Sequence, residues 1–455
     1  MPTIHPPISS MPWRLRRGRI GLILPVFAAC LLVSGQSFAQ SLTFSDLDAL
    51  LSYADAHSTV AERAAAQTEQ ARLQKTAAYA NTVNLRGNAT FSATDNFALP
   101  VNFIPAEIFG GPSGTFREVT FGQQYVNLFA ITPQLDIVNA TNWARVSSAK
   151  TSTVLTATTN AINRRNQHES IAAAYCNLAS AYTQYEWAQR NIAAADSIVM
   201  VVRSRYEAGL SRVQDVNNAE VNRTNLQDFA QQLATRRAQN ILTLRSLIGM
   251  NANDSLAYAP ILRHVEASQS GKASSSLLRR QSSLQAEVQR SELRANRYAF
   301  LPTLSLVAAF NWQQNSNDGI FNDGKWIQSR YVGLRLNLPL PTETRLWSQA
   351  EDYRLNLKVM EANARQAALQ EEAQNKQLDL DIQRALQSLD NAQSVAKLKA
   401  ENYGLTYRNY AEGILPLDQL LTAFTDQTNA AMSQISAQWN LEYQWMKLTL
   451  NQAVK

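Results

Sequence analysis

Apolar positions recur with two different periods along this chain, and the two alternate in blocks. Residues 41–82 carry Leu47, Leu50, Leu51 and Ala54 on one helical face, followed by alanines without glycine or proline, which predicts helix. The period then drops to two. Asn84, Arg86, Asn88, Thr90, Ser92 and Thr94 alternate with Leu85, Gly87, Ala89, Phe91 and Ala93, so a strand over about 84–95 has one wet face and one apolar face. A loop rich in glycine, proline and aromatics follows from Ala98 to Phe116, and a second strand is expected over about 119–132. The order then repeats. Helix is expected from about Ser275 to Tyr298. A strand over about 302–313 puts Leu304, Leu306, Ala308, Phe310 and Trp312 against Thr303, Ser305 and Asn311. A turn-rich loop covers Asn315 to Lys325, and a strand over about 328–339 sets Val332, Leu334, Leu336 and Leu338 against Arg335 and Asn337.

Two long stretches without glycine or proline, Gln134 to Ala208 and Thr342 to Tyr403, predict rods. Ile171, Tyr175, Leu178, Tyr182 and Tyr185 step by four and three, as do Ile192, Ala195, Val199, Val202 and Tyr206, and Leu378, Ile382, Ala385, Leu389, Ala392 and Ala396. That is coiled-coil spacing, and abundant alanine beside it permits close helix approach. At 1.5 Å per residue each rod is about 100 Å long. The rods end in related turns, Tyr206-Glu-Ala-Gly209-Leu210 and Tyr410-Ala-Glu-Gly413-Ile414, which lie 204 residues apart (410 − 206). Trp143 matches Trp347 at the same offset, and Tyr125-Val126-x-Leu128 matches Tyr331-Val332-x-Leu334 at 206. The chain is therefore an internal duplication of helix, strand, strand, long helix and helix. The expected division is a leader over 1–39, a first repeat over 40–250, an irregular link over 251–274 and a second repeat over 275–455.

Charge changes this picture little. The formal charge is +6, but four arginines and no acid fall within residues 1–39, leaving the rest near +2 (6 − 4). That balance excludes the clustered basic surface of a nucleic-acid binder. The first 39 residues read as a secretory leader: a basic Arg14–Arg19 segment, an apolar run from Ile20 to Val33, and Ser37-Phe38-Ala39 before a cleavage point. Phe27-Ala28-Ala29-Cys30 faintly resembles a lipoprotein box and leaves open a lipidated Cys30. Only Cys176 then remains, and an internal disulfide is excluded; a small buried apolar role is expected. The remaining sequence holds no apolar run long enough for a membrane helix, so an exported product is either soluble or a membrane β-barrel.

Four amphipathic strands cannot close a barrel alone, and open edges are costly in lipid. Single-chain membrane barrels begin at about eight strands. Three chains give twelve, a better match than two to a pore continuous with a wide helical tube. Phe97, Phe121, Phe129, Trp312, Trp326 and Tyr331 then fit interfacial girdles, while Arg86 and Arg335 face a watery lumen. The leader, the duplicated plan, the segment Leu301-Pro302-Thr303-Leu304-Ser305-Leu306 and the paired Tyr-x-x-Gly turns resemble the TolC-type outer-membrane factors of Gram-negative bacteria, over essentially all residues after the leader.

The resemblance implies a mainly α protein with β, a trimeric channel-tunnel whose twelve-strand outer-membrane barrel continues into a periplasmic α-helical barrel. It also implies the outer part of a tripartite system, working with a periplasmic adaptor and an inner-membrane transporter in contact with outer-membrane lipid. On the same resemblance Tyr206, Ala208, Gly209, Leu210, Tyr410, Glu412, Gly413 and Ile414 form the periplasmic tips where an adaptor docks. Asp215 and Asp418 read either as acidic rings at the entrance or as helix-start aspartates favoured by the helix dipole. The family pattern has further acids deeper in the second tip. Here Thr422 and Thr425 leave only Asp426, which argues against a strong electrostatic gate. No catalytic or cofactor-binding residues are expected: His57, His168 and His264 are scattered without metal-ligand spacing, and no phosphate loop or nucleophile elbow occurs. Passive efflux of small molecules is the expected function. Type I protein secretion is the alternative, and a periplasmic coiled-coil adaptor or scaffold is the competing class.

Overall fold

A computed structural model describes residues 41–44, 46–250, 255–258, 276–320, 324–340 and 344–453. The expected leader, including Cys30, and most of the 251–274 link lie outside the described residues. The elements run β1 (Ser41–Phe44), α1 (Leu47–His57), α2 (Thr59–Ala80), β2 (Leu85–Asp95), β3 (Val101–Pro105), β4 (Phe116–Thr120), β5 (Tyr125–Val138), α3 (Ala140–Glu207) and α4 (Val213–Ile248). The second half adds β6 (Ser255–Tyr258), α5 (Leu277–Tyr298), β7 (Thr303–Ser316), β8 (Trp326–Asn337), α6 (Thr344–Ala411) and α7 (Leu417–Ala453).

One four-stranded antiparallel sheet has the order β2-β5-β7-β8, so the two repeats join through β5 and β7 and leave β2 and β8 as bare edges. Along the rods, α3 packs against α4 and α7. A core near mid-rod joins Leu47, Leu50 and Ala54 of α1 to Ile171, Tyr175 and Leu178 of α3, Leu244 and Ile248 of α4, and Trp439 of α7. A second core, toward the rod ends, holds Ile198, Val199 and Val202 with Leu233, Leu420 and Phe424. Burying each large aliphatic side chain contributes about 1.5–3 kcal/mol before entropy is counted. Cys176 lies within the first core, as expected. Burial first, and the Glu442 carboxylate second, push its thiol up to about 12, so it is not a reactive thiolate at neutral pH.

Several boundaries differ from the expected ones. Residues 41–44 are not helix but strand, paired in parallel with Ser255–Tyr258 in the segment expected to be irregular. The helix expected through residue 82 breaks at Ser58, whose Oγ accepts the Ala61 amide (3.2 Å) and donates to Gln167 Oε1 on α3 (3.3 Å). The end of α4 presses against this corner. Gly249 has φ +79°, and a Cβ there would sit 2.6 Å from the His57 carbonyl oxygen. The expected 98–116 loop contains β3, which pairs with β4. The strand expected to end at Thr132 runs on to Val138, so the rod begins at Ala140 and not Gln134. Pro133 does not break that strand. It faces Gly87 of β2, where a Cβ would lie 3.3 Å from Pro133 Cα, and the pairing with β7 skips residues 132 and 133.

Candidate functional site: the rod tips and the inner face of the sheet

Both tips are built by the same backbone device. Gly209 (φ +74°) donates to the Tyr206 carbonyl at 2.9 Å and Leu210 to that of Arg205 at 2.8 Å. Gly413 (φ +80°) donates to Tyr410 at 3.0 Å and Ile414 to Asn409 at 2.8 Å. This pair of bonds satisfies the last helical carbonyls and requires a left-handed residue, which glycine adopts without strain. Ala208 caps the first rod, and Glu412 lies exposed in the second turn.

The side chains of the two tips differ sharply. Tyr206 is 46% exposed, whereas Tyr410 is 5% exposed, and burial raises the hydroxyl pKa of Tyr410. Tyr410 belongs to the second core, with Val202, Leu417 and Leu420, and Arg205 packs beside it. Its Nη1 donates to the Tyr410 carbonyl at 2.6 Å, and its guanidinium lies 4.9 Å from the centroid of the Tyr410 ring. The repeat-equivalent residue of the second tip is Asn409, so only one tip reaches across to the other. Leu210 and Ile414 remain 72% and 65% exposed, an apolar pair of turn ends.

The two aspartates also separate. The Asp215 carboxylate accepts the Arg212 amide at 2.9 Å and the Ser211 hydroxyl at 2.8 Å. These bonds, the amide foremost, hold its pKa below the ordinary value. It caps the start of α4. Asp418 is exposed in the first turn of α7. Asp426, the one acid left deeper in the second tip, is paired with Lys399 at 2.6 Å, and Thr425 accepts from Asn222 at 3.3 Å.

At the sheet, cross-strand register assigns each face. Leu85, Leu135, Leu306 and Leu334 form one apolar row, and Phe91, Phe129 and Trp312 form another that ends in the polar Gln328, with Phe129 and Trp312 ring centroids 5.5 Å apart. Leu334 and Leu336 are 69% and 70% exposed, so this face is bare in a single chain. The opposite face carries Arg86, Thr90, Gln134, Asp136, Ser305, Asn311 and Arg335. The structure thus brings Arg86 and Arg335 onto one polar face. Trp326 lies on the apolar face, but Tyr331 pairs with Ala309 on the polar one, which removes it from the expected girdle. Phe97 and Phe121 sit outside the strands.

Two residues that sequence reasoning missed organise these places. Arg205 is one; its only signal was a repeat mismatch, arginine against asparagine. Asp136 is the other, 3% exposed beside a register shift at the end of β5. It accepts from Ser305 at 2.8 Å, Gln134 at 3.1 Å and Asn139 at 3.5 Å, while Asn139 also accepts the Asn142 amide at the start of α3. Asp136 therefore ties strand to rod.

Comparison with known proteins agrees with this architecture. No family model matches the chain. Two curated relatives, from two strains of Pseudomonas putida, are each 27% identical over 290 residues, 60% of this chain: the probable efflux pump outer membrane protein SepC and the toluene efflux pump outer membrane protein TtgF. The match spans 58% of the length of those relatives. The outer membrane protein VceC of Vibrio cholerae superposes with a TM-score of 0.65 at 19% identity, covering 90% of this chain and 95% of that one. The outer-membrane channel OprN gives 0.70 at 14% identity, with 89% of each chain covered. The fold is that of the TolC-type outer-membrane factors. Within this fold the four-stranded sheet stands at one end of the rods and the two turns at the other.

Proposed function

We propose that three copies of this chain form an outer-membrane channel-tunnel, the passive outer conduit of a tripartite efflux system in a Gram-negative bacterium. The observation that carries the reading is the open four-stranded meander: mostly apolar on one face, with Arg330 and Gln328 as exceptions on β8, mostly polar on the other, and with both edges unpaired. Its strands alternate in direction, so β8 of one copy meets β2 of the next antiparallel, and closure removes every bare edge. Twelve strands surround water, with Arg86 and Arg335 on the wet side. The rods continue the tube across the periplasm. At its inner end the exposed Tyr206, Leu210 and Ile414 supply an apolar rim for a periplasmic adaptor that links the tube to an inner-membrane transporter. Asp418 stands at that entrance, while Asp215 serves chiefly as a cap. Nothing in this conduit requires catalysis.

Small-molecule cargo is favoured over secreted protein because the curated relatives carry efflux names, one of them for toluene. The test has two stages. Outer-membrane fractionation should recover a trimer that dissociates only on heating; a soluble monomer would sink the channel. Deletion should then sensitise cells to solvents, drugs or detergents with an unchanged secretome. Unchanged sensitivity with one missing secreted protein would transfer the conduit to protein export.

A further inference from the structure

The polar face of the sheet carries three ionised side chains on its described strands, and they are not balanced: Arg86 on β2, Asp136 on β5 and Arg335 on β8. Asp136 is buried, and neutral donors already occupy its oxygens: Ser305 at 2.8 Å, Gln134 at 3.1 Å, and Asn84 and Asn139 at 3.5 Å. Arg86 approaches only to 3.5 Å, and its side chain is 59% exposed. Most of its charge is therefore offered to the space in front of the sheet. Arg335 has no carboxylate within ion-pair distance among the described residues. Both arginines line one recess of about 320 Å³, together with Asn88, Thr132, Gln134 and Tyr331.

We propose that this recess is an anion subsite, in which Arg86 and Arg335 receive the carboxylate, phosphate or sulfonate group of an exported solute. The inference rests on the channel reading and adds a charge class to its cargo. Guanidinium groups present planar forks that match such groups in two-bond geometry, and polar neighbours can take the remaining oxygens. Place supports chemistry. Arg86 is the second residue of β2 and Arg335 the third from the end of β8, both at the end of the sheet that continues into the rods. A solute leaving the helical tube meets the pair on entering the barrel. Three copies put six guanidiniums and three buried carboxylates around one passage, a net cationic ring in a confined space where the field is focused. The site is open, so it holds an anion in transit without trapping it.

Citrate is a suitable probe, tested on the purified trimer by equilibrium dialysis and in planar bilayers under a potassium chloride gradient. Wild type should bind citrate, and its reversal potential should lie on the chloride side. Arg86→Gln with Arg335→Gln should weaken citrate binding about tenfold or more, as expected when charge-assisted hydrogen bonds are lost, and shift the potential toward potassium. Arg86→Lys with Arg335→Lys should retain the selectivity, which guards against a folding defect. Dialysis does not depend on whether the tips pass current. Equal citrate affinity in wild type and the glutamine pair, or no binding to a heat-dissociable trimer, would overturn the subsite alone. Failure to form a membrane-inserted trimer would instead overturn the channel reading.

Discussion

The two long rods are equal in length and opposite in situation. Helices α3 and α6 are repeat mates of 68 residues each, yet α3 buries 21 side chains and α6 only 7. Duplication explains the length, and packing explains the difference: α3 lies among α2, α4, α5 and α7, whereas α6 packs against α5 and α7 and keeps one side open. Its bare side is not polar. Leu369, Leu380 and Leu398 are 65%, 64% and 64% exposed. They are spaced 11 and 18 residues apart, close to whole numbers of 3.6-residue turns, so they form one stripe. A single chain thus finishes the packing of one rod and leaves the other with an exposed apolar stripe. A similar division holds at the tips, where Tyr410 is packed in the second core beside Arg205 while Tyr206 stays exposed.

This contrast can be broken most strongly on the bare rod. Leu380→Asp with Leu398→Asp should abolish the heat-dissociable trimer on gels while circular dichroism still reports helix. A trimer of wild-type heat stability would mean that no neighbour covers the stripe. Next in size is a comparison of repeat mates: Leu178→Ala, fully buried in α3, should cost about 2–5 kcal/mol and Ile382→Ala in α6 clearly less, measured as denaturation midpoints. Equal losses would erase the difference between the rods.

Smaller effects sharpen the asymmetry at the tips. Alanine at Gly209 or Gly413 must adopt a left-handed conformation at about 1–2 kcal/mol. The cost should be greater at Gly413, where a Cβ meets Arg205 Nη2 at 3.3 Å, than at Gly209, where nothing lies within 4 Å. In an Arg205→Ala background the two costs should converge; a persistent gap would show that Arg205 does not distinguish the tips. Last, Asp215→Asn should cost about 1 kcal/mol by weakening a helix cap. Because folding lowers the pKa of Asp215, its contribution is full above the ordinary carboxylate value. It should fade as pH falls through the depressed folded value. Hydrogen exchange at the start of α4 across that acid range should show the loss in wild type and not in the variant.

What was legible in the sequence follows from what is local. Period-two alternation located β2, β7 and β8 within a few residues, and runs without glycine or proline located both rods. The tip glycines were legible because their conformation is set by the turn itself. The misses are long-range. Strands β1 and β6 have four residues each, too few to show a period, and exist only through one another. Pro133 read as the end of a strand because its compatibility depends on Gly87, 46 residues earlier (133 − 87). Asp136 and Arg205 gain their roles from Ser305 and Tyr410, in the other half of the chain. The polar face containing Arg86 and Arg335 was legible strand by strand; their sharing one recess was not.

Equal rods also act as a matched pair of gauges. The halves differ by two residues between strand and rod, as the 206 and 204 offsets record, yet both rods keep 68 residues. Lengthening α3 and its return helix by seven residues each, with α6 untouched, would push one turn about 10 Å beyond the other. Arg205 could then no longer span to Tyr410. A length change made in one repeat alone therefore costs the contact between the tips, and a matched change in both repeats preserves it.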